Sequence, residues 1–506
     1  MTTLKLTLDK DLDECVGLIT QLKTKEDVAK LVEVPIGQLL HILYNLPKER
    51  HCKIFTIPKK TKGVRTITAP IGSKLILQNK LKPIIDEMYR IKVCVHGFAK
   101  NRSIVTNAHV HRKKRYVLNI DLKDFFPTIH FGRIRGLFMR FPFNMCGSAA
   151  SIMAQMCTQG GELAQGSPLS PVLSNFIAAD LDRKMIVIAK RYKLTYTRYA
   201  DDLTFSSSHK NFPKSVANWD GDNPITSNVV LGDLLVTAVS AAGFEINYSK
   251  VRMQIRSVRQ EVTGLTVNEF PNVPRSYIRN IRAMIHAWEK YGLMAAEATL
   301  IAKFAKSPPD IDEGNRNGTY FKSVLYGKIA FVKMVRGEED EIYMKLCLKA
   351  ASIDTSPPQF IQKIKNMHEK FDVFISHASE DKDLVVRLIF EELEKLGVLT
   401  FLDEVHIGWG DSLTEKINHA LGQSKYVLAV ISASSIAKAW PLKELNSALS
   451  REMAGKQKIL PLIVGDVDLS PLSLLEDKKY LEWESNPGEI AKNIHALVLH
   501  HSFDGK

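Results

Sequence analysis

Over the first 50 residues apolar side chains fall at helical spacing, as in Val28, Leu31 and Val32 and again in Leu39, Leu40 and Leu43, which predicts a small helical lead-in. The period then changes. From Lys53 to Pro70 the run KIFTIPKKTKGVRTITAP alternates apolar and polar positions around Lys62-Gly63 and predicts a basic β-hairpin, followed by a helix over 73–90. Strand-like runs at 115–121, 194–200 and 202–207 are separated by helical segments at 131–140, 148–158 and 169–191, an α+β pattern. The insert 209–228, rich in Asn, Ser, Pro and Asp, reads as an exposed loop. Beyond it, Ile278, Ile281, Ile285 and Trp288, then Tyr326, Ile329 and Ala330, predict a helical subdomain over 275–350 with a basic face.

Ser356-Pro357-Pro358 predicts an extended linker, because consecutive prolines disfavour helix. After it, apolar runs at 371–376, 398–402, 426–431 and 459–464 alternate with helical segments at 382–396, 412–421 and 441–454, the pattern of a parallel sheet wrapped by helices. The expected organisation is therefore a lead-in (1–50), an α+β body (51–274), a helical subdomain (275–350), a linker (351–370) and an α/β domain (371–506).

Length supports more than one core, since 506 residues exceed what a single one usually organises. Charge divides the chain in the same place. Residues 371–506 hold 14 Lys and Arg against 21 Asp and Glu, a net −7, which leaves +21 of the overall +14 on the first 370 residues. A basic body beside an acidic domain fits a polyanionic partner for the body alone, although a merely soluble basic surface has the same composition. Six cysteines, at 15, 52, 94, 146, 157 and 347, show no CxxC spacing and are expected to be reduced thiols. Met1-Thr2-Thr3-Leu4-Lys5 does not open a signal peptide, and polar residues interrupt the charge-free stretch 141–161, so a cytoplasmic protein with no membrane span is expected.

The chemistry centres on Tyr199-Ala200-Asp201-Asp202, which lies between two strand-like runs and puts adjacent carboxylates at a hairpin turn. Adjacent carboxylates repel unless cations sit between them. Phosphoryl transfer with two Mg²⁺ ions needs such hard oxygen ligands, and Asp121, at the end of the strand RYVLNID, is the candidate third ligand. Singly these features read as local structure, a polar turn and a helix N-cap.

Together with Asp121 followed by Phe126, the run QGSPLSPVLSN at 165–175 and YADD at 199–202, the chain resembles reverse transcriptases. The resemblance implies a right-hand polymerase of fingers, palm and thumb, with Asp121, Asp201 and Asp202 catalytic and holding the metals. It places Phe126 against the 2′ face of an incoming deoxynucleotide, Arg65 on the triphosphate, Gln165 on sugar and base, and Lys250 near the leaving pyrophosphate. Asn107-Ala108-His109-Val110-His111 looks like the NAxxH signature of retron enzymes, and Val262-Thr263-Gly264 like their VTG motif. By that likeness Asn107, His111, Val262, Thr263 and Gly264 bind RNA. The implied partner is a structured non-coding RNA serving as template and primer, and the implied product is RNA-linked DNA (msDNA) primed from a guanosine 2′-OH. Arg275, Arg279, Arg282 and Lys333 are candidates to track the RNA backbone.

Phe371 to His377, Phe401 to Glu404, Gly408 to Leu413 and Trp440 to Leu445 resemble the first strand, the BB loop and the WxxxE stretch of TIR domains. The resemblance implies an α/β flavodoxin-like fold, Glu444 as the catalytic carboxylate of an NAD⁺-cleaving enzyme, and Ser376, His377, Asp403 and Trp440 lining the NAD⁺ site. It also implies a homo-oligomer through the TIR domain and a role in antiphage defence. The alternative is an RNA-binding scaffold whose TIR domain only assembles.

Overall fold

A computed structural model describes residues 4–58, 63–221, 223, 227–304, 317–368, 371–403, 413–437, 444, 447–448, 450–452, 457–468, 472 and 478–503, without the side chains of 48, 304, 413–416 and 500–503. The chain divides into two compact units, Met1–Leu346 and Cys347–Lys506.

The first unit opens with helices Leu12–Ile19, Lys25–Leu31 and Ile36–Leu40, which bury Cys15, Ile19, Val28, Leu31 and Leu39. Thr24 and Asp27 cap the second of these reciprocally. Strands β1 (Cys52–Pro58) and β2 (Val64–Pro70) form the expected antiparallel hairpin, paired from Cys52↔Pro70 to Pro58↔Val64. Ile54, Phe55, Ile57 and Val64 on it remain exposed.

The central sheet is built on β3 (Tyr116–Lys123). On one side β3 pairs antiparallel with β5 (Asp202–Ser207), and β5 pairs with β4 (Thr195–Tyr199). Alternation sets its inner face: Leu118, Ile120 and Leu122 of β3 lie beside Leu203 and Phe205 of β5 in one core, joined by residues of helices Gly147–Cys157, Ser170–Ile177 and Ala179–Arg191. The helix expected over 169–191 breaks at Ala178.

The insert expected to be an exposed loop is partly anchored. Within and after it β6 (Ala217–Trp219) pairs with β7 (Val229–Leu231), Val216 and Ala217 are buried, and Tyr116 packs on Phe212 and Trp219. Four apolar residues in a polar stretch suffice to hold it down. Short strands β8 (Glu245–Ile246) and β9 (Arg252–Ile255) complete the far side of β3, and β10 (Glu261–Val262) pairs with β11 (Leu265–Thr266).

Helices Arg275–Tyr291, Leu293–Phe304 and Thr319–Arg336 follow. The first buries Ile278, Ile281, Met284, Ile285 and Trp288, and leaves Arg275, Arg279 and Arg282 on its exposed side. Lys333, on the third, is half-buried and pairs with Glu338.

The segment read as a linker contains a helix, Gln359–His368, with Ile361 and Ile364 buried. Pro358 accepts from the Ile361 N–H, so the prolines open this helix, where their missing N–H costs nothing. The second unit then forms a parallel sheet of β12 (Val373–Ser376), β13 (Thr400–Phe401), β14 (Tyr426–Ile431), β15 (Lys458–Ile463) and β16 (Leu481–Glu482) in the order β13-β12-β14-β15-β16. Two apolar layers cover it: Val373, Ile375, Leu428 and Val430 face one, Phe374, Phe401, Val427 and Ala429 the other. Burial on both faces explains why these strands read as continuous apolar runs. Among the described residues, no helix is long and apolar enough to cross a membrane.

Candidate active sites

In the first unit Asp121 of β3 lies opposite Asp202 of β5 in the sheet register, and the Leu122 N–H donates to the Asp201 carbonyl at 3.0 Å. Three carboxylates thus meet at one end of the sheet. Tyr199 pairs with Asp202, so Ala200 and Asp201 form a two-residue hairpin loop, with Ala200 at φ 55°. An L-residue there costs about 1–2 kcal/mol.

A buried network holds that turn. Arg198 donates from Nε and Nη2 to the two Asp182 oxygens at 2.8 and 2.9 Å, both side chains being fully buried. Its Nη1 reaches the Ala200 carbonyl (3.1 Å) and Asn175 Oδ1 (3.0 Å), while Asn175 donates onward to the Gly97 carbonyl. Gly97 is required, since a Cβ there would lie 2.4 Å from the Ala200 nitrogen.

Asp121 has both oxygens engaged: Asn247 Nδ2 donates to Oδ1 at 3.1 Å and Lys250 Nζ to Oδ2 at 2.8 Å. Burial raises the Asp201 pKa, and the Asp121 charge adds to it, with Lys250 and Arg65 opposing. Burial, then the charges of Asp201 and Asp121, pushes Asp202 up to about 7. Among the described residues no three such side chains form a ready-made metal cage. The arrangement fits Mg²⁺ nonetheless, because that ion takes one or two carboxylates and completes its shell with water and substrate phosphates.

In the second unit the order of strands reverses direction at β12, which places a crevice beyond its C-terminal end. Ser376, the last residue of β12, donates from Oγ to Glu444 Oε2 at 2.7 Å, and both are buried. His377 Nε2 lies 3.9 Å and Lys382 Nζ 3.3 Å from Asp403 Oδ1. Burial lowers the His377 pKa, with Asp403 opposing it. Ser432, just past β14, donates to Asp381 Oδ2 at 2.7 Å.

Residues 57–267 match the family model for reverse transcriptase (RNA-dependent DNA polymerase), and 373–498 that for the TIR domain. The retron Ec86 reverse transcriptase of Escherichia coli is 32% identical over 265 residues, covering 51% of this chain and 76% of the relative. The chain belongs to the retron reverse transcriptase family. The retron Mx65 reverse transcriptase of Myxococcus xanthus is 36% identical over 282 residues, 52% of this chain and 62% of that one. The chain thus spans somewhat under two thirds of this relative's length. For the TIR unit, the 2′ cyclic ADP-D-ribose synthase AbTIR of Acinetobacter baumannii is 42% identical over 152 residues, 29% of this chain and 56% of the relative.

Within the reverse transcriptase unit the residues expected to bind nucleotide are differently disposed. Arg65 on β2 and Gln165 are exposed. Gly166, next to Gln165, donates to the Thr68 carbonyl, and a Cβ on it would lie 2.8 Å from Ala69 Cα, so the turn docks on the β1–β2 hairpin. Phe126 is half-buried, its ring against Phe125 and Phe98.

The expectation of RNA contact by Asn107 and His111 is corrected. Both side chains are fully buried, with Asn107 Oδ1 accepting from Thr197 Oγ1 at 2.6 Å, and the two His111 nitrogens 2.7 Å from Thr197 Oγ1 and Ser206 Oγ. Burial lowers the His111 pKa to about 3, so the ring is neutral. The NAxxH helix, Ile104–Val110, with His111 at its end, therefore braces the β4–β5 hairpin that carries Asp201 and Asp202. Val262 is likewise buried, which removes its side chain from any RNA contact; Thr263 and Gly264 form the β10–β11 turn at φ 46° and 81°, and Thr263 Oγ1 donates to the Ile104 carbonyl.

In the TIR unit Ser376 and Glu444 meet, and His377 approaches Asp403; Trp440 and the stretch 404–412 lie outside the described residues. Sequence reasoning missed Asp182, Arg198, Asn247, Asp381, Lys382 and Ser432, whose partners are far apart in the chain. It also passed over Asn175, although that residue closes the run quoted for Gln165.

Proposed function

We propose that the first unit is an RNA-directed DNA polymerase that copies part of a structured non-coding RNA into RNA-linked DNA, and that the second cleaves NAD⁺ as the effector arm of antiphage defence. The observation that carries the reading is the convergence of Asp121, Asp201 and Asp202 from two paired strands, where burial and then the neighbouring carboxylate charges raise the pKa values of Asp201 and Asp202.

Two Mg²⁺ ions held by these aspartates would neutralise that charge and polarise the attacking and leaving oxygens. The chain's own groups do the remaining work. Arg65 offers a forked donor to the triphosphate, Lys250 an ammonium to the departing pyrophosphate, and the Phe126 ring disfavours a nucleotide bearing a 2′-OH. Gln165 contacts sugar and base, and Arg275, Arg279, Arg282 and Lys333 follow the RNA backbone.

In the TIR unit the Glu444 carboxylate, oriented by Ser376, holds the nicotinamide ribose and stabilises the oxocarbenium-like state as the glycosidic bond breaks. The bond's electron pair goes to the cationic nicotinamide ring, which leaves neutral without an acid. His377, Asp403 and Trp440 line the same site, and TIR units assemble into a homo-oligomer. Capture of the ribosyl cation by water or by a ribose hydroxyl separates hydrolysis from cyclisation and is read by product mass.

The test is co-expression of the chain with its RNA, with NAD⁺ and RNA-linked DNA measured before and after phage challenge. Asp201→Asn is expected to abolish the DNA, and Glu444→Ala to abolish NAD⁺ loss. Constant NAD⁺ throughout, or equal loss in Glu444→Ala, overturns the effector reading, and DNA synthesis surviving Asp201→Asn overturns the polymerase reading.

A further inference from the structure

A cavity of about 270 Å³ in the first unit shares no lining residue with the aspartate site. Its walls come from the end of the helical lead-in (Leu43, Leu46, His51), from helix Gly72–Met88 (Lys74), and from the C-terminal turn of helix Gly147–Cys157 and the residues behind it (Gln155, Gln159).

Lys74 is only 2% exposed. Its ammonium donates to the Thr158 carbonyl and to Gln159 Oε1 at 2.9 Å, the ordinary use of a lysine at a helix C-terminus. An ammonium has three N–H groups, however, and among the described residues no acceptor takes the third and no carboxylate pairs with it. Among the described residues no Asp or Glu lines the cavity. A buried charge without a counter-charge is costly.

A second observation points into the same space. His51 is 7% exposed, and its Nε2 is buried with no hydrogen-bond partner. Burial and the Lys74 charge lower the His51 pKa and its ring bonds to the Ile42 backbone, so the bare Nε2 is an acceptor; the pair calls for a ligand that brings an oxygen acceptor to Lys74 and an N–H or O–H donor to His51. The Gln155 and Gln159 amides add mixed donors and acceptors suited to a base edge, and Leu43 and Leu46 give the apolar wall a base requires. The volume suits one extruded nucleotide and excludes a duplex.

We infer that this cavity receives one unpaired nucleotide of the RNA, with a phosphate or base oxygen on Lys74, a base N–H or the ribose 2′-OH on His51 Nε2, and its base against Leu43 and Leu46. Single-stranded RNA is recognised by splayed bases in this way, and the +21 charge of the first 370 residues favours the strand's approach. The inference rests on the RNA-binding reading of the first unit.

The full chain is titrated with a fluorescein-labelled single-stranded RNA dodecamer, with inorganic phosphate and nucleoside monophosphates as competitors. Gln155→Phe and Leu46→Trp fill the space while leaving both Lys74 bonds in place, and each is expected to weaken RNA binding about tenfold. Lys74→Met is expected to weaken it similarly and to reduce the salt slope by about one. Unchanged RNA affinity in both filled variants overturns the inference. So does competition by inorganic phosphate that Gln155→Phe and Leu46→Trp abolish while RNA affinity holds, which marks a free-anion site. Primer extension by the unaltered chain on an RNA template reads the aspartate site separately, so failure there sinks the polymerase reading without deciding the cavity.

Discussion

The carboxylates of the reverse transcriptase unit crowd the end of an antiparallel hairpin, where burial and then neighbouring negative charge raise the pKa values of Asp201 and Asp202, whereas Glu444 of the TIR unit stands beside a serine hydroxyl at the mouth of a parallel sheet. Asp121 and Glu444 are both buried, while Asp201 and Asp202 are half-buried. The difference lies in what each still needs. Asp201 and Asp202 have Asp121 as a neighbour, and although Lys250 opposes it at both, with Arg65 at Asp201 and Arg252 at Asp202, their pKa values remain raised, so the site calls for cations. Glu444 already has a donor on one oxygen, an arrangement that suits an acid holding hydroxyls and a transient positive charge.

The sharpest way to break the comparison is to loosen the frame behind one site and not the other. Arg198→Met leaves Asp182 charged and unpaired in the core and removes the donor to the Ala200 carbonyl. We expect a loss of about 3–5 kcal/mol, read by denaturant unfolding of the first unit. An unchanged midpoint means that the buried pair does not hold the catalytic turn.

A smaller effect tests whether the charge on Asp202 destabilises the site. The Asp202 pKa is raised to about 7 in the folded chain, against an ordinary 3.8. The native state therefore binds more protons than the unfolded one across that window, and the contribution to stability present below pH 4 is lost as the pH rises toward 7. In metal-free buffer Asp202→Asn should recover about 2 kcal/mol at pH 7 and nothing at pH 4, with Mg²⁺ closing the gap. A gain independent of pH argues against charge as its source.

Ser376→Ala gives the mildest change. It removes the Oγ donor from Glu444 and is expected to slow NAD⁺ cleavage about tenfold, since a hydrogen bond to a charged group contributes about 1.5–3 kcal/mol. DNA synthesis measured in parallel should not move. A rate equal to the unaltered chain's removes Ser376 from the site.

Much of this was legible in the chain. The strand around Asp121, the turn at Ala200-Asp201 and the four apolar runs of the second unit all form as their periodicity predicts, because local pattern and fold agree there. The insert 209–228 misled because four scattered apolar residues outweigh a polar composition once Tyr116 is there to receive them. The NAxxH motif misled differently: Asn107 and His111 have the chemistry of RNA contacts, and nothing in their spacing tells that Thr197 and Ser206 enclose them.

The sequence by itself determined the two units, the order of their motifs and the aspartates at the end of the sheet, since hydrophobic period and turn chemistry act over a few residues. Only the tertiary structure decided which polar groups neutralise one another. Arg198 finds Asp182, Asp121 finds Lys250, Ser376 finds Glu444 and Lys74 finds no acid among the described residues, because burial and charge act through space among residues the chain keeps far apart.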